Sequence, residues 1–323
     1  MREVLSTIEQ WIDDGAAVAV AILVATERSA PREPGAALAV SHRGEVAGTI
    51  TSGCIEPALV EEAREVLAGG APRLVTYGIE DEDAFAVGLP CGGSVTVYVC
   101  AIRADVAAQL AAALRERRPA AAVVVTEGVE AGITADEAQA DRDEPIWEAG
   151  TFTVPLLPPP DLYVVGAVEH AEALAVAGGL LGYRVTVVDP RPRFATRERI
   201  PGADELVVDW PDRALASATV DARTAVCVLS HDEKVDVPAL RTALERGVGY
   251  VGAMGSRRTR ERRADALRAL GVPDEVIARI RSPIGLPLGS KTPGEVAVAI
   301  AAELVAFRRG RLATADPAEL VSH

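Results

Sequence analysis

Aromatic residues make up only 4% of this 323-residue chain. Few rings are therefore available as stacking platforms for nucleobases. A basic surplus is missing as well: the formal net charge is −14, the wrong sign for a protein whose main partner is a phosphate backbone. Nucleic acid is not the expected partner on either count. Cysteine is scarce, with four residues and no Cys-x-x-Cys pair, so neither a disulfide framework nor a zinc site follows from spacing. The simplest setting for such a chain is reduced and cytoplasmic. No apolar run reaches the roughly 18 residues of a membrane span. Met1 to Gly15 is a short amphipathic stretch carrying Glu3, Glu9, Asp13 and Asp14; it lacks the basic opening and apolar centre of a signal peptide. What is present is an ordinary globular composition, 49% hydrophobic, at a length that predicts two domains.

The few cysteines fall into two kinds. Cys100, in Val97-Tyr98-Val99-Cys100-Ala101, and Cys227, in Ala225-Val226-Cys227-Val228-Leu229, sit in apolar strand-like runs and read as core. Cys54, in Thr51-Ser52-Gly53-Cys54-Ile55-Glu56, and Cys91, in Gly88-Leu89-Pro90-Cys91-Gly92-Gly93, stand among glycines, where the backbone bends sharply and approaches a ligand closely. Thiols presented in this way can ligate a soft metal, carry sulfur or be attacked. Glu56 beside Cys54 has two readings, a general base or the first-turn carboxylate of its own helix.

Periodicity predicts an α/β fold. Val4, Leu5, Ile8, Trp11 and Ile12 recur at helical spacing, and Ala17 to Ala25 is a buried strand. A hairpin about Arg43-Gly44, a helix from Ile55 to Leu67, strands at Leu74 to Tyr77 and Ser94 to Ile102, and a helix from Val106 to Arg117 complete a first domain of residues 1–118. Glu80-Asp81-Glu82-Asp83 reads as a solvated acidic loop. Residues 119–160 read as a connecting strand, an acidic excursion and a linker stiffened by Pro155 and Pro158-Pro159-Pro160. From 161 to 323 strands and helices alternate, which indicates a doubly wound parallel sheet of Rossmann-like kind. Thr292, Pro293 and Glu295 form a capping box at the start of the last helix.

Ligands in such sheets bind beyond the carboxyl ends of the strands. The first turn there spells Gly166, Val168 and Ala171 where a dinucleotide fingerprint needs Gly-x-Gly-x-x-Gly/Ala. Val168 blocks the close approach of a pyrophosphate, and Glu169 puts a negative charge where the helix dipole would welcome one. Gly166 and Asp189, which ends the next strand, mark this turn as a nucleotide position of weakened kind, so NAD(P) is expected to bind weakly or not at all. A better anion site is Gly252-Ala253-Met254-Gly255-Ser256-Arg257-Arg258-Thr259-Arg260. It leads from a strand into a helix, in a stretch (residues 251–281) with eight arginines and four acids. Ser256 can cap, Gly255 frees the backbone, and Arg257 and Arg258 suit a phosphate. The bland alternative is a solvated helix with its own ion pairs. His231, in Ser230-His231-Asp232, is a base, a ligand or a helix-capping structural residue. Arg28 and Arg32 flank a rigid loop that either clamps an anion or is only a turn, and Ile284 to Lys291 reads as a connector.

Taken in order, these pieces resemble the XdhC/CoxI family of accessory proteins for xanthine dehydrogenase and related molybdenum hydroxylases. The resemblance is carried by Ser29-Ala30-Pro31-Arg32 with Pro34-Gly35, Gly53-Cys54-Ile55-Glu56 and Cys91-Gly92-Gly93 in the first half. In the second half it is carried by Val187-Val188-Asp189 with Arg191-Pro192, Ser230-His231-Asp232, Gly252 to Arg258, and Ser282-Pro283-Ile284-Gly285-Leu286. It implies a cytoplasmic maturation factor, a cofactor-binding chaperone rather than a catalyst. Such a factor binds the molybdenum cofactor, assists its sulfuration with a cysteine desulfurase, and delivers it to a hydroxylase client; a homodimer is the expected assembly. Two departures stand out. The family commonly has Gly-x-Gly-His where this chain has Gly166-Ala167-Val168-Glu169, and Ser-Gly-Gly-Cys where it has Thr51-Ser52-Gly53-Cys54. The alternative function is an NAD(P)-dependent oxidoreductase using the second domain.

Overall fold

The computed structural model describes residues 1–28, 31–78, 93–126, 131–140, 144–148 and 150–312. The chain divides into two compact units, residues 1–158 and 159–323. The acidic run at 80–83 and Cys91 lie outside the described residues.

The first unit runs α1 (Leu5–Asp13), β1 (Val18–Glu27), β2 (Ala37–Ser41), β3 (Val46–Gly48), α2 (Glu56–Leu67), β4 (Arg73–Tyr77), β5 (Ser94–Ala101), α3 (Ala104–Arg115), β6 (Ala120–Val125), β7 (Gly132–Asp136), β8 (Ile146–Glu148) and β9 (Thr151–Leu156). Its main sheet is antiparallel, in the order β3-β2-β1-β5-β4. β1 is central and buried on both faces, which is why it reads as an unbroken apolar run. Val18, Val20, Ile22 and Val24 face a core shared with α1, α3 and β6. Ala19, Ala21 and Leu23 face another, closed by Leu59, Ala63 and Val66 of α2. Cys100, buried in the first of these cores, is packing; burial pushes its thiol up to about 12.

Within residues 119–160 the expected connecting strand forms as β6, while the rest departs from expectation. The excursion and Pro155 belong to a second antiparallel sheet, β7-β6-β9-β8, built into the first unit, and Pro158-Pro159-Pro160 lies between β9 and β10, at the division of the two units. Ala120, Ala122, Val124, Ile133, Phe152, Val154 and Leu156 enter the same core as α1 and α3. The strands are short, and charged residues outside the paired segments hide their alternation. Pro155 is accommodated because β8 pairs only with Thr151 to Thr153 of β9, leaving that stretch of the edge open.

The second unit contains β10 (Asp161–Val165), α4 (Glu169–Leu180), β11 (Arg184–Val188), β12 (Glu205–Val207), α5 (Pro211–Ser217), β13 (Ala225–Val228), α6 (Glu233–Glu245), β14 (Tyr250–Ala253), α7 (Arg257–Ala269), α8 (Asp274–Ile277), β15 (Ile280–Arg281) and α9 (Pro293–Arg308). All pairs are parallel, in the order β12-β11-β10-β13-β14-β15. This is the doubly wound Rossmann order, with its switch point between β10 and β13. α4 and α9 cover one face through Leu174, Ala175, Ile300 and Leu304. α5, α6 and α7 cover the other through Leu215, Leu240, Ala243 and Leu267. Cys227 is wholly buried in the sheet, and burial raises its pKa.

The capping box forms as read. Thr292 Oγ1 accepts from the Glu295 N–H at 3.3 Å, and Glu295 Oε2 accepts from the Thr292 N–H at 3.0 Å. Replacing Thr292 with alanine removes one partner of that reciprocal pair. It should cost about 1 kcal/mol of unfolding free energy, read as a lowered urea midpoint at unchanged slope.

Candidate functional site

In the first unit, the Cys54 loop is organised by one carboxylate. Glu56 Oε1 accepts from Thr49 Oγ1 at 2.6 Å, the Ile50 N–H at 2.9 Å and the Thr51 N–H at 2.7 Å. Its Oε2 accepts from Thr51 Oγ1 at 2.9 Å and the Gly53 N–H at 2.8 Å. Partial burial by itself would raise the pKa of Glu56, but the hydrogen bonds from Thr49, Thr51 and Ile50 outweigh it and bring it down to about 2. With five donors on its two oxygens, this carboxylate holds the loop; the reading as first-turn carboxylate fits the geometry better than that of a free base. Ser52 (φ 63°) and Gly53 (φ 118°) both take left-handed backbone, which turns the chain around the carboxylate and leaves Cys54 half-buried just before α2. Arg32 is paired with Glu3 at 2.6 Å, and Arg28 follows β1 as an exposed residue in left-handed backbone (φ 61°).

In the second unit, the turn after β10 is filled by protein groups. Asp189, 1% exposed, accepts from the Ala167 N–H at 2.7 Å and from Arg191 through its backbone N–H (2.8 Å), Nε (2.9 Å) and Nη2 (2.7 Å). The acid that would meet a ribose hydroxyl in a dinucleotide fold is thus occupied. Gly166 has φ 99°, and a Cβ there would stand 2.9 Å from Ser230 Cβ. Close packing onto the end of β13 requires glycine at that position. Glu169 opens α4, with Val168 as its N-cap.

An open cleft of about 1440 Å³ lies beyond the carboxyl ends of β14 and β15. Its lining includes the start of α7, with Gly255, Arg257 and Arg260, the loop after β15, with Ile284 and Leu286, His170 of α4, and the acidic Glu261, Asp265 and Asp274. Ser256 caps α7 by accepting from the Thr259 N–H at 3.3 Å. Arg257, Arg258 and Arg260 are exposed and make no ion pair among the described residues, unlike Arg262, which pairs with Glu233 at 2.9 Å, and Arg268, which pairs with Asp265 and Asp274.

Two buried polar clusters shape this cleft. Arg263 (3% exposed) pairs with Asp236 (1%). It also donates to the carbonyls of Met254 at 2.5 Å and Ser230 at 3.2 Å, while Ser230 Oγ donates to Asp236. Glu303, wholly buried on α9, accepts from Tyr250 Oη at 2.7 Å, the Gly285 N–H at 2.6 Å and Arg281 Nε at 2.9 Å, which anchors the loop that forms the cleft wall.

Of the residues singled out by sequence, Gly255 and Arg257 line this cleft, with Ser256 as the cap between them. Arg258 is on the same helix but outside the lining, and His231 is exposed and outside it as well. Cys91 lies outside the described residues. Sequence reasoning quoted Arg260 in the motif that opens α7 and Ser282 in the segment after β15 without giving either a role of its own, and did not single out His170, Asp236, Arg263 or Glu303. A signal existed for three of them: Asp236, Arg263 and Glu303 are charges set on otherwise apolar helix faces.

Residues 162–304 match the XdhC Rossmann domain, and residues 11–78 match the XdhC and CoxI family. A relative from Escherichia coli K12, the molybdenum cofactor insertion chaperone PaoD, is 28% identical over 95% of this chain and 88% of its own length. A second relative, from Bacillus subtilis 168 and named as a probable component of xanthine dehydrogenase, is 23% identical over 94% of this chain and 96% of its own. The crystal structure of a Bacillus halodurans protein named a xanthine dehydrogenase superposes with a TM-score of 0.78 at 23% identity, covering 97% of this chain and 98% of that one. It shares the fold.

Two measurements follow from the Cys54 loop. Because the native pKa of Glu56 lies below its ordinary 4.5, at about 2, the carboxylate contributes stability that is complete above the ordinary value. That contribution is lost as pH falls through the folded one. Discounted for its partial exposure, it is on the order of 1–2 kcal/mol. Glu56→Gln should lower stability at about pH 6 and flatten the acid limb towards about pH 3, as urea titrations at the two pH values would read. Alkylation of the native protein, followed by peptide mass spectrometry, should modify Cys54 roughly tenfold or more faster than Cys100 and Cys227; equal protection of the three would refute the assignment of Cys54 as a presented thiol.

Proposed function

Because the chain belongs to the XdhC and CoxI family, we propose that it is an insertion chaperone for the molybdenum cofactor, serving a hydroxylase of the xanthine dehydrogenase type. Two relatives carry names of this kind. The observation that carries the reading is the cleft at the start of α7. A pterin cofactor has a phosphate at one end of a flat heterocycle. Such a ligand needs cationic donors on one side and an apolar wall on the other, and the cleft has both, in Arg257 and Arg260 and in Ile284 and Leu286. The residues that would hold the phosphate are Ser256, Arg257 and Arg260, with the free backbone N–H groups that a helix start offers an anion. When bound, the cofactor supplies the molybdenum centre of the client enzyme.

The chain's own residues do the rest. The arginines bind and orient the anionic end, and the loop held by Glu303 screens the heterocycle from water. In the first unit, the thiol of Cys54, held by the Glu56 loop, is a soft donor suited to molybdenum or to sulfur. Sulfuration with a cysteine desulfurase and delivery to the client are the finer parts of the proposal. The oxidoreductase alternative finds little support at the turn after β10, where Arg191 takes up the Asp189 carboxylate and Glu169 opens α4.

Replacing both Arg257 and Arg260 with alanine should weaken retention of molybdopterin at least about tenfold, equivalent to about 1.4 kcal/mol. The melting temperature should hardly move, because exposed charges add little to stability. Equilibrium binding of anaerobically prepared molybdopterin to both proteins tests this; full affinity in the double variant would refute the assignment of the phosphate to α7.

A further inference from the structure

Ser282 follows β15 and lines the cleft. It is 8% exposed, and its Oγ has no hydrogen-bond partner among the described residues. Ile284, Leu286, Val296 and Ala299, which line the same cleft, are apolar. A buried hydroxyl left unpaired works against folding. Retaining one at the floor of an open cleft makes sense if something that enters the cleft completes its hydrogen bonding. Arg263 also keeps a buried Nε without a hydrogen-bond partner among the described residues, but its two Nη atoms are tied to Asp236, Ser230 and Met254, and Arg257 and Arg260 reach water.

We propose that Ser282 is a specificity determinant of this cleft, pairing through Oγ with a polar edge atom of the ligand's heterocycle while the arginines at the start of α7 take its phosphate. The inference rests on the reading of the cleft as the cofactor site. It divides the labour within that site. The arginines recognise charge and would accept any phosphate, whereas the hydroxyl rewards only a ligand carrying a hydrogen-bonding edge beside its flat body. A site built around a buried hydroxyl discriminates strongly against ligands that leave it unpaired.

The test compares the wild type with Ser282→Ala and with the Arg257→Ala/Arg260→Ala double variant, using two probes: anaerobically prepared molybdopterin and inorganic phosphate. Dissociation constants and melting temperatures are measured for each. Ser282→Ala should bind molybdopterin at least about tenfold more weakly, about 1.4 kcal/mol, bind phosphate as the wild type does, and melt at the same or a higher temperature. The double variant should lose affinity for both probes. If Ser282→Ala keeps wild-type affinity for molybdopterin, the inference is wrong and the cleft reading stands. If it loses both probes equally, or melts lower, Ser282 is structural and the inference is again wrong. If the wild type itself fails to bind molybdopterin, the cleft reading fails and the inference goes with it.

Discussion

Arg263 reaches back from α7 beneath the Gly255 turn and joins three separate pieces of the second unit. It donates to the carbonyl that follows β14, to the carbonyl that follows β13, and to the carboxylate of Asp236 in α6. Both charges are almost wholly removed from water. Such a pair contributes little net stability, because desolvation offsets most of the attraction, but losing either partner strands the other charge and costs about 3–5 kcal/mol. The pair is therefore a constraint on geometry. It fixes where α7 begins relative to the sheet, and with it the direction in which Arg257 and Arg260 face. Ser230 belongs to the same cluster through Asp236, and Gly166 must be glycine because it packs onto Ser230. One buried ion pair thus ties the turn after β10, the ends of β13 and β14, and the start of α7 into a single frame.

The second cluster does for the loop after β15 what the first does for α7. Glu303 sits on the buried face of α9 and satisfies the backbone of Gly285, the hydroxyl of Tyr250 and the guanidinium of Arg281. A loop of glycine, proline and small apolar residues has few interactions of its own. Without a buried acceptor, the Gly285 N–H would be an orphan donor. The segment read from sequence as a connector becomes a cleft wall because a helix further along the chain supplies that acceptor.

These long-range dependences explain what the sequence made legible. The capping box at Thr292 and Glu295 is chemistry within four residues, and it forms as written. β1 was readable because burial on both faces leaves an unbroken apolar run. The doubly wound parallel sheet followed from the alternation of strands and helices. β7, β8 and β9 were not readable: each is short, β7 and β8 are buried little, and acidic residues between them dominate the composition. The cleft was half readable. Gly255, Ser256 and Arg257 announce a helix start of a recognisable kind, whereas Ser282 and His170 come from segments whose proximity depends on sheet order and on two buried charge clusters. At Cys54, the sequence offered Glu56 as a general base or a first-turn carboxylate, but did not show that this carboxylate would gather five donors and set the loop.

The electrostatics of the whole chain give the α7 start its weight. A protein of net charge −14 repels anions over most of its surface, and at physiological salt that repulsion fades within about 8 Å. A small anionic ligand that comes close then responds to local groups. Three exposed arginines without acidic partners among the described residues and a capped helix start favour negative charge at this end of a cleft that Glu261, Asp265 and Asp274 also line. The turn after β10, where a Rossmann fold ordinarily holds phosphate, has the opposite character: Asp189 is buried and neutralised by Arg191, and Glu169 stands at the helix start. In the proposed reading, the same scaffold has moved its anion-binding position from the turn after β10 to the turn after β14. Such a shift requires only a different placement of charges, and no change in the order or direction of any strand.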